Sequence, residues 1–92
     1  MDDGAIRKRV LVSGLVQGVY FRDSCRRTAL AEGVAGWVRN LPDGRVEAVF
    51  EGDADRVERL VRWAHTGPGH ARVSGVAVAD EPVEGLTGFT IR

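Results

Sequence analysis

The sequence predicts an α+β fold: two helices on one face of an antiparallel sheet, in the order β-α-β-β-α-β with a short edge strand at the end. Three observations predict it. Val57, Leu60, Val61 and Ala64 recur at i, i+3, i+4 and i+7, the spacing of an amphipathic helix. Val46, Ala48 and Phe50 alternate with Glu47 and Glu51, the period of a half-buried strand. Stops at Gly33, Leu41-Pro42-Asp43-Gly44 and Gly67-Pro68-Gly69 cut the chain into short segments around these two patterns.

Ile6 to Ser13, rich in Val and Leu, reads as the first strand. Gly14-Leu15-Val16-Gln17-Gly18-Val19-Tyr20 is a glycine-bounded connection without strict alternation. From Arg22 to Glu32 the chain gives up β-branched residues, Thr28 excepted, for Arg, Ala and Leu. That segment is a helix ended by Gly33, with Phe21, Cys25 and Ala29 as its buried stripe. Ala35 to Leu41 is the second strand, and the Leu41–Gly44 turn joins it as a hairpin to the third. Asp53 is the expected N-cap of the second helix, with Asp55 in its first turn. Asp55 and Arg59, and Glu58 and Arg62, are spaced to pair along the wet face of that helix. Ala71 to Ala79 is the fourth strand and Gly88 to Arg92 the short fifth. This order is the split βαβ, ferredoxin-like arrangement. Such a fold hosts many functions and names none of them.

One domain spanning residues 1–92 is expected, since 43% hydrophobic and 28% charged residues support a single small core. Thirteen Lys and Arg against thirteen Asp and Glu leave a net charge of zero, which excludes a generic nucleic-acid-binding tail. The lone cysteine, Cys25, forms no internal disulfide and reads as a small buried hydrophobe rather than a nucleophile. His65 and His70 flank the Gly67-Pro68-Gly69 stop and read as surface residues, while Trp63 and Trp37 read as packing residues. No apolar run approaches the roughly 20 residues of a membrane span. The acidic start, Met1-Asp2-Asp3-Gly4, leads into no apolar signal segment, so a cytoplasmic setting is expected.

Chemistry is expected where the topology brings two segments together. The first and second strands run parallel with the third between them, so their C-terminal ends open on one sheet edge, about 10 Å apart. The loop from Gly14 to Arg22 lies at one of those ends and Asn40 at the other. Gly14 and Gly18 let the main chain aim several N–H groups inward, and the following helix adds its positive end. Arg22 falls in the first helical turn, where the macrodipole disfavours a cation. Local pairing with Asp23 would offset this, and a bidentate phosphate or carboxylate would offset it better. On these grounds alone the loop is also compatible with an ordinary connection, and Asn40 with a residue that opens the next turn.

Val12-Ser13-Gly14-Leu15-Val16-Gln17-Gly18-Val19-Tyr20-Phe21-Arg22 resembles the first signature of the acylphosphatase family, with Gly14, Val16, Gln17, Gly18, Phe21 and Arg22 matching in order and spacing. Gly36-Trp37-Val38-Arg39-Asn40, followed by Gly44, Val46 and Gly52, is similar to the second. The likeness continues to the closing Phe89-Thr90-Ile91-Arg92. It implies a small cytoplasmic monomer with a ferredoxin-like fold. The activity it implies is hydrolysis of acyl phosphates, the mixed anhydrides of a carboxylic acid and phosphate, with inorganic phosphate as product. No metal or other cofactor is expected, since none is required where the loop N–H groups and Arg22 do a metal's electrostatic work. By the same resemblance Arg22 binds the phosphate and Asn40 orients the attacking water. The main chain of Leu15, Val16, Gln17, Gly18, Val19, Tyr20 and Phe21 becomes the cradle. Family members often carry a hydroxyl residue directly after the asparagine, and here that residue is Leu41.

So sparse a set of groups suits this chemistry. The leaving carboxylate has a conjugate acid with a pKa near ~4, so no general acid is needed. Phosphoryl transfer asks mainly for charge stabilisation and in-line positioning. Neither motif holds an obvious base apart from Asp23, so a substrate phosphate oxygen is the expected proton acceptor, and no covalent intermediate is expected. Three other readings compete. A single-stranded RNA binder of this topology needs exposed aromatics on its central strands, whereas the third strand turns Phe50 to the apolar stripe. A ligand-sensing module usually works as a dimer attached to an enzyme. The acylphosphatase-like domain of larger carbamoyl-transfer proteins would share Arg22 and Asn40.

Overall fold

The computed structural model describes residues 4–92, so the acidic Met1-Asp2-Asp3 start lies outside the described residues. The elements run β1 (Ala5–Leu15), α1 (Phe21–Glu32), β2 (Ala35–Asn40), β3 (Val46–Asp53), α2 (Ala54–Ala64), β4 (Arg72–Glu81) and β5 (Phe89–Ile91). The sheet order is β4-β1-β3-β2-β5. β3 pairs antiparallel with both β1 and β2, so those two flank it in parallel, as the topology requires. The short β5 adds a parallel pair on the outer side of β2. The fold is the expected ferredoxin-like one.

Both helices bury the stripes that the sequence marks out: Phe21, Cys25 and Ala29 on α1, and Val57, Leu60, Val61 and Ala64 on α2. They pack on the face of the sheet formed by Val10, Val12, Val38, Val46, Ala48 and Phe50. Asp53 caps α2 by accepting from the Asp55 N–H at 3.0 Å. The expected pairs along α2 are replaced by pairs between elements. Arg59 reaches Glu32 of α1 at 3.0 Å and Glu58 faces Lys8 of β1 at 3.8 Å, because the packed neighbours offer partners the helix alone does not.

β1 runs two residues beyond the sequence expectation, carried by a shift of its pairing with β4 between Ser13 and Gly14. Gly14 holds a φ of 118°, and a Cβ built there would lie 2.1 Å from the Arg72 carbonyl oxygen. Only glycine fits so close an approach of two strands. The bulge redirects the chain at the end of β1 into the loop that precedes α1.

The other face of the sheet departs from the sequence reading. Glu47 and Glu51 do face away from the core, but they are only 3% and 4% exposed. Glu47 is held between Arg9 at 2.5 Å and Arg39 at 2.6 Å. Glu51 pairs with Arg7 at 3.3 Å and accepts the main-chain N–H groups of Glu84, Gly85 and Leu86 at 3.0, 2.7 and 2.8 Å. Trp37 lies on the same face, with the guanidinium groups of Arg39 and Arg92 at 5.3 and 4.4 Å from its ring centroid. Burial acts to raise the Glu51 carboxyl pKa, but the N–H groups of Glu84 and Leu86, the Arg7 guanidinium and the Gly85 N–H outweigh it and hold it below the ordinary glutamate value. A carboxyl depressed in the folded state stabilises the fold above its unfolded value, about 4.3, and that stabilisation is lost as pH falls through the lower folded value. Glu51→Ala should therefore lower stability at pH 7 by about 3 kcal/mol, since it takes one carboxylate partner from the buried Arg7, which keeps Glu81 at 2.9 Å, and leaves three main-chain N–H groups without their acceptor. The difference from the parent should shrink below about pH 4, as read by chemical denaturation across pH.

Candidate active site

The C-terminal ends of β1 and β2 open on the same edge of the sheet, and a cavity of about 390 Å³ lies there. It is lined by Val16, Gly18, Tyr20, Phe21, Arg22, Asp23, Asn40 and Ile91. Arg22 and Asn40 are 18 positions apart in the chain and meet on one wall-to-wall site, as the parallel placement of β1 and β2 predicts.

The loop at this edge is anchored from both sides. Val16 and Phe21 are buried in the core, and the Phe21 ring packs against Trp63 with centroids 5.1 Å apart. Between them the Gln17 side chain donates from Nε2 to the Leu41 carbonyl at 2.8 Å and the Arg45 carbonyl at 3.0 Å. Gln17 therefore ties the loop to the β2–β3 hairpin, and so to the strand end that carries Asn40. The sequence reading credited Gln17 only with its main chain. A polar amide directly after the apolar Val16 is the one sequence signal that its side chain has a partner to find. Gln17→Leu should lower stability by about 1–2 kcal/mol through two lost hydrogen bonds. It should also raise KM more than it lowers kcat, which denaturation and steady-state kinetics would read together.

Two left-handed residues wind the segment between those anchors, Gly18 at φ 75° and Tyr20 at φ 62°. Tyr20 is the N-cap of α1 and offers no side-chain cap, and among the described residues no hydrogen bond engages the main-chain N–H groups from Gly18 to Arg22. Unengaged N–H groups at a helix start form a field that favours an anion.

Two polar side chains of the cavity, Arg22 and Asn40, are equally unengaged, whereas Asp23 is not. Asp23 does not pair with Arg22. Its carboxylate accepts instead from Arg27, one turn along α1, at 3.0 Å from Nε. Among the described residues Arg22 has no ion pair and no hydrogen bond, although it sits in the helical turn least favourable to a cation. The Asn40 Oδ1 is buried and has no hydrogen-bond partner among the described residues. A buried carbonyl oxygen without a donor costs about 1–3 kcal/mol. Of the other residues weighed from the sequence, Cys25 is fully buried and its thiol is pushed up by that burial, which leaves it unreactive. His65 and His70 are exposed, and Arg26 donates from Nε to the Phe89 carbonyl at 3.2 Å, tying α1 to β5. Among the described residues no group of three or more His, Cys, Asp or Glu gathers into a metal-holding cluster.

This edge-of-sheet site can be set against known proteins. Residues 8–91 match the family model described as acylphosphatase. The chain belongs to the acylphosphatase family. An acylphosphatase from Rubrobacter xylanophilus is 66% identical over 87 residues, covering 94% of this chain and 79% of the relative. The solved acylphosphatase of Coxiella burnetii superposes with a TM-score of 0.93 at 40% identity, covering 97% of this chain and 94% of the other. The solved HypF of T. kodakarensis matches at 31% identity with a TM-score of 0.79, over 94% of this chain but 11% of the larger protein. The acylphosphatase family is one of enzymes that hydrolyse acyl phosphates, and the chain is an enzyme of that kind. No helix of the described residues is long and apolar enough to cross a membrane.

Proposed function

We propose that this acylphosphatase hydrolyses its substrate by in-line attack of a positioned water on phosphorus, without a metal and without a covalent intermediate. The observation that carries the reading is the meeting, in one cavity, of an unpaired guanidinium at Arg22 and a buried, partnerless carboxamide oxygen at Asn40. Arg22 and the main-chain N–H groups of the segment from Leu15 to Phe21 bind the phosphoryl oxygens. The Asn40 Oδ1 accepts a hydrogen bond from water and fixes it opposite the leaving group. The water oxygen forms the new bond to phosphorus as the bond to the acyl oxygen breaks. The released electron pair leaves on the carboxylate, and the water proton passes to a phosphate oxygen, giving carboxylate and inorganic phosphate.

Asp23 lines the cavity, but its carboxylate is occupied by Arg27, which supports a substrate oxygen as the proton acceptor. The kcat/KM profile should therefore follow ionisation of the substrate phosphate, and Asp23→Asn should leave its shape unchanged. A profile that loses one limb in Asp23→Asn would assign the proton to that carboxylate instead. Burial of Cys25 supports the absence of a covalent intermediate.

The same reading takes residues 1–92 as one acylphosphatase domain acting as a monomer in the cytoplasm on a small acyl phosphate, with no nucleic-acid partner. The match to the Coxiella acylphosphatase over 97% of this chain and 94% of that one supports reading it as a single domain. The open sheet face, where an RNA-binding sheet would carry exposed aromatics, presents Glu47 and Glu51 locked to arginines. The deciding experiment is hydrolysis of benzoyl phosphate in the presence of excess chelator, with Arg22→Ala as control. Turnover that survives chelation and disappears in the variant is expected, and chelator-sensitive turnover would contradict the metal-free mechanism.

A further inference from the structure

The groups proposed to hold the phosphoryl end leave one part of the cavity unaccounted for. Tyr20 lines it and is 76% exposed, and Ile91 lines it and is 41% exposed. They come from distant parts of the chain, the start of α1 and the closing strand β5. Val16 and Phe21, the other apolar residues of the wall, are buried in the core and present little free surface. Tyr20 and Ile91 thus form the exposed apolar rim of a cavity whose interior carries Arg22 and Asn40.

Tyr20 also breaks two local rules at once. It is the one non-glycine residue with positive φ among the described residues. A bulky aromatic adopts the left-handed region at a cost of about 1–3 kcal/mol. It also occupies the N-cap of α1, a position where Ser, Thr, Asp or Asn would satisfy an N–H group of the helix and Tyr does not. Gly or Asn would meet both demands, so neither backbone geometry nor capping explains an aromatic ring here. The ring gains nothing from burial either. What it does gain is a place beside the site.

We infer that Tyr20 and Ile91 form the acyl-reading subsite, which makes this enzyme selective for acyl phosphates with a planar or bulky apolar acyl group over those with a small one. This deepens the proposed function and rests on it. With the phosphoryl group held by Arg22 and the loop N–H groups, the carboxyl carbon and its substituent project out of the cavity past the rim. An apolar substituent there covers the Tyr20 ring and the Ile91 side chain and removes both surfaces from water. A methyl substituent is too short to do so. The contact is made equally in the ground state and the transition state, so it acts on KM rather than kcat.

The test compares benzoyl phosphate with acetyl phosphate by the ratio of their kcat/KM values, in the parent and in Tyr20→Asn and Ile91→Ser. Asparagine keeps a residue that tolerates the left-handed conformation, and the ratio cancels any change in the phosphate cradle the two substrates share. The benzoyl-to-acetyl ratio should fall about fivefold or more in Tyr20→Asn and by a smaller factor in Ile91→Ser, through a higher KM for benzoyl phosphate. Tyr20→Phe, which keeps the ring, should retain the parent ratio. Ratios within twofold of the parent in both Tyr20→Asn and Ile91→Ser would overturn the subsite while leaving acyl phosphate hydrolysis intact. A parent protein that turns over neither substrate would instead overturn the proposed function, and the subsite with it.

Discussion

Arg22→Ala is expected to lower kcat/KM for an acyl phosphate by about a hundred- to a thousandfold and to abolish competition by inorganic phosphate. Removing one preorganised donor to a developing charge costs about 2.7–4 kcal/mol, and a guanidinium proposed to meet the phosphoryl group directly belongs at the upper end. Arg22 makes no ion pair or hydrogen bond with the described residues, so the protein loses no internal polar contact with it. Its position in the first turn of α1 opposes the helix dipole, and removing the cation should stabilise the fold slightly, by about 0.3–1 kcal/mol. Loss of activity together with an unchanged or higher unfolding midpoint is the signature of a residue retained for its ligand. A variant that lost activity because it unfolded would show the opposite sign in thermal denaturation.

Asn40→Ala should separate binding from turnover. In the proposed mechanism the carboxamide does not hold phosphate, so inorganic phosphate should inhibit the variant with a constant within a few-fold of the parent. The water it is proposed to position reacts only in the chemical step, so kcat should fall about a hundredfold, the effect of misplacing a reacting atom. Stability should again hold or rise, because the substitution removes a buried oxygen that has no partner. Asn40→Asp makes a useful contrast. It keeps an acceptor in place but sets a carboxylate beside a phosphoryl dianion, so KM should rise as well. Normal turnover in Asn40→Ala would refute its assignment.

Much of this was legible in the sequence, for reasons that differ by residue. The α2 stripe and the alternation in β3 depend on local periodicity, which a single chain displays directly. Placing Arg22 and Asn40 at one sheet edge needed only the order of elements and the rule that β1 and β2 flank β3. What stayed hidden depends on partners far along the chain. Glu47 and Glu51 read as polar residues on a wet face until Arg9, Arg39, Arg7 and the 84–86 main chain are brought onto them. Local pairing of Asp23 with Arg22 is the sequence expectation, but helix geometry gives Asp23 to Arg27, four positions on, while Arg26 reaches the Phe89 carbonyl. The Gln17 amide finds its acceptors on the β2–β3 hairpin, 24 and 28 positions on. The left-handed backbone of Tyr20 could not be read from composition at all, because no propensity favours an aromatic there.

The central claim is that one phosphoryl group is held by Arg22 and the loop N–H groups within reach of Asn40. Titration of ¹⁵N-labelled protein with inorganic phosphate, followed by its amide resonances, tests it most directly. The main-chain signals from Gly18 to Arg22 and the Asn40 side-chain amide should move together along one saturable curve, and that movement should vanish in Arg22→Ala. Shifts that map to another part of the surface, or that persist unchanged in Arg22→Ala, would contradict it.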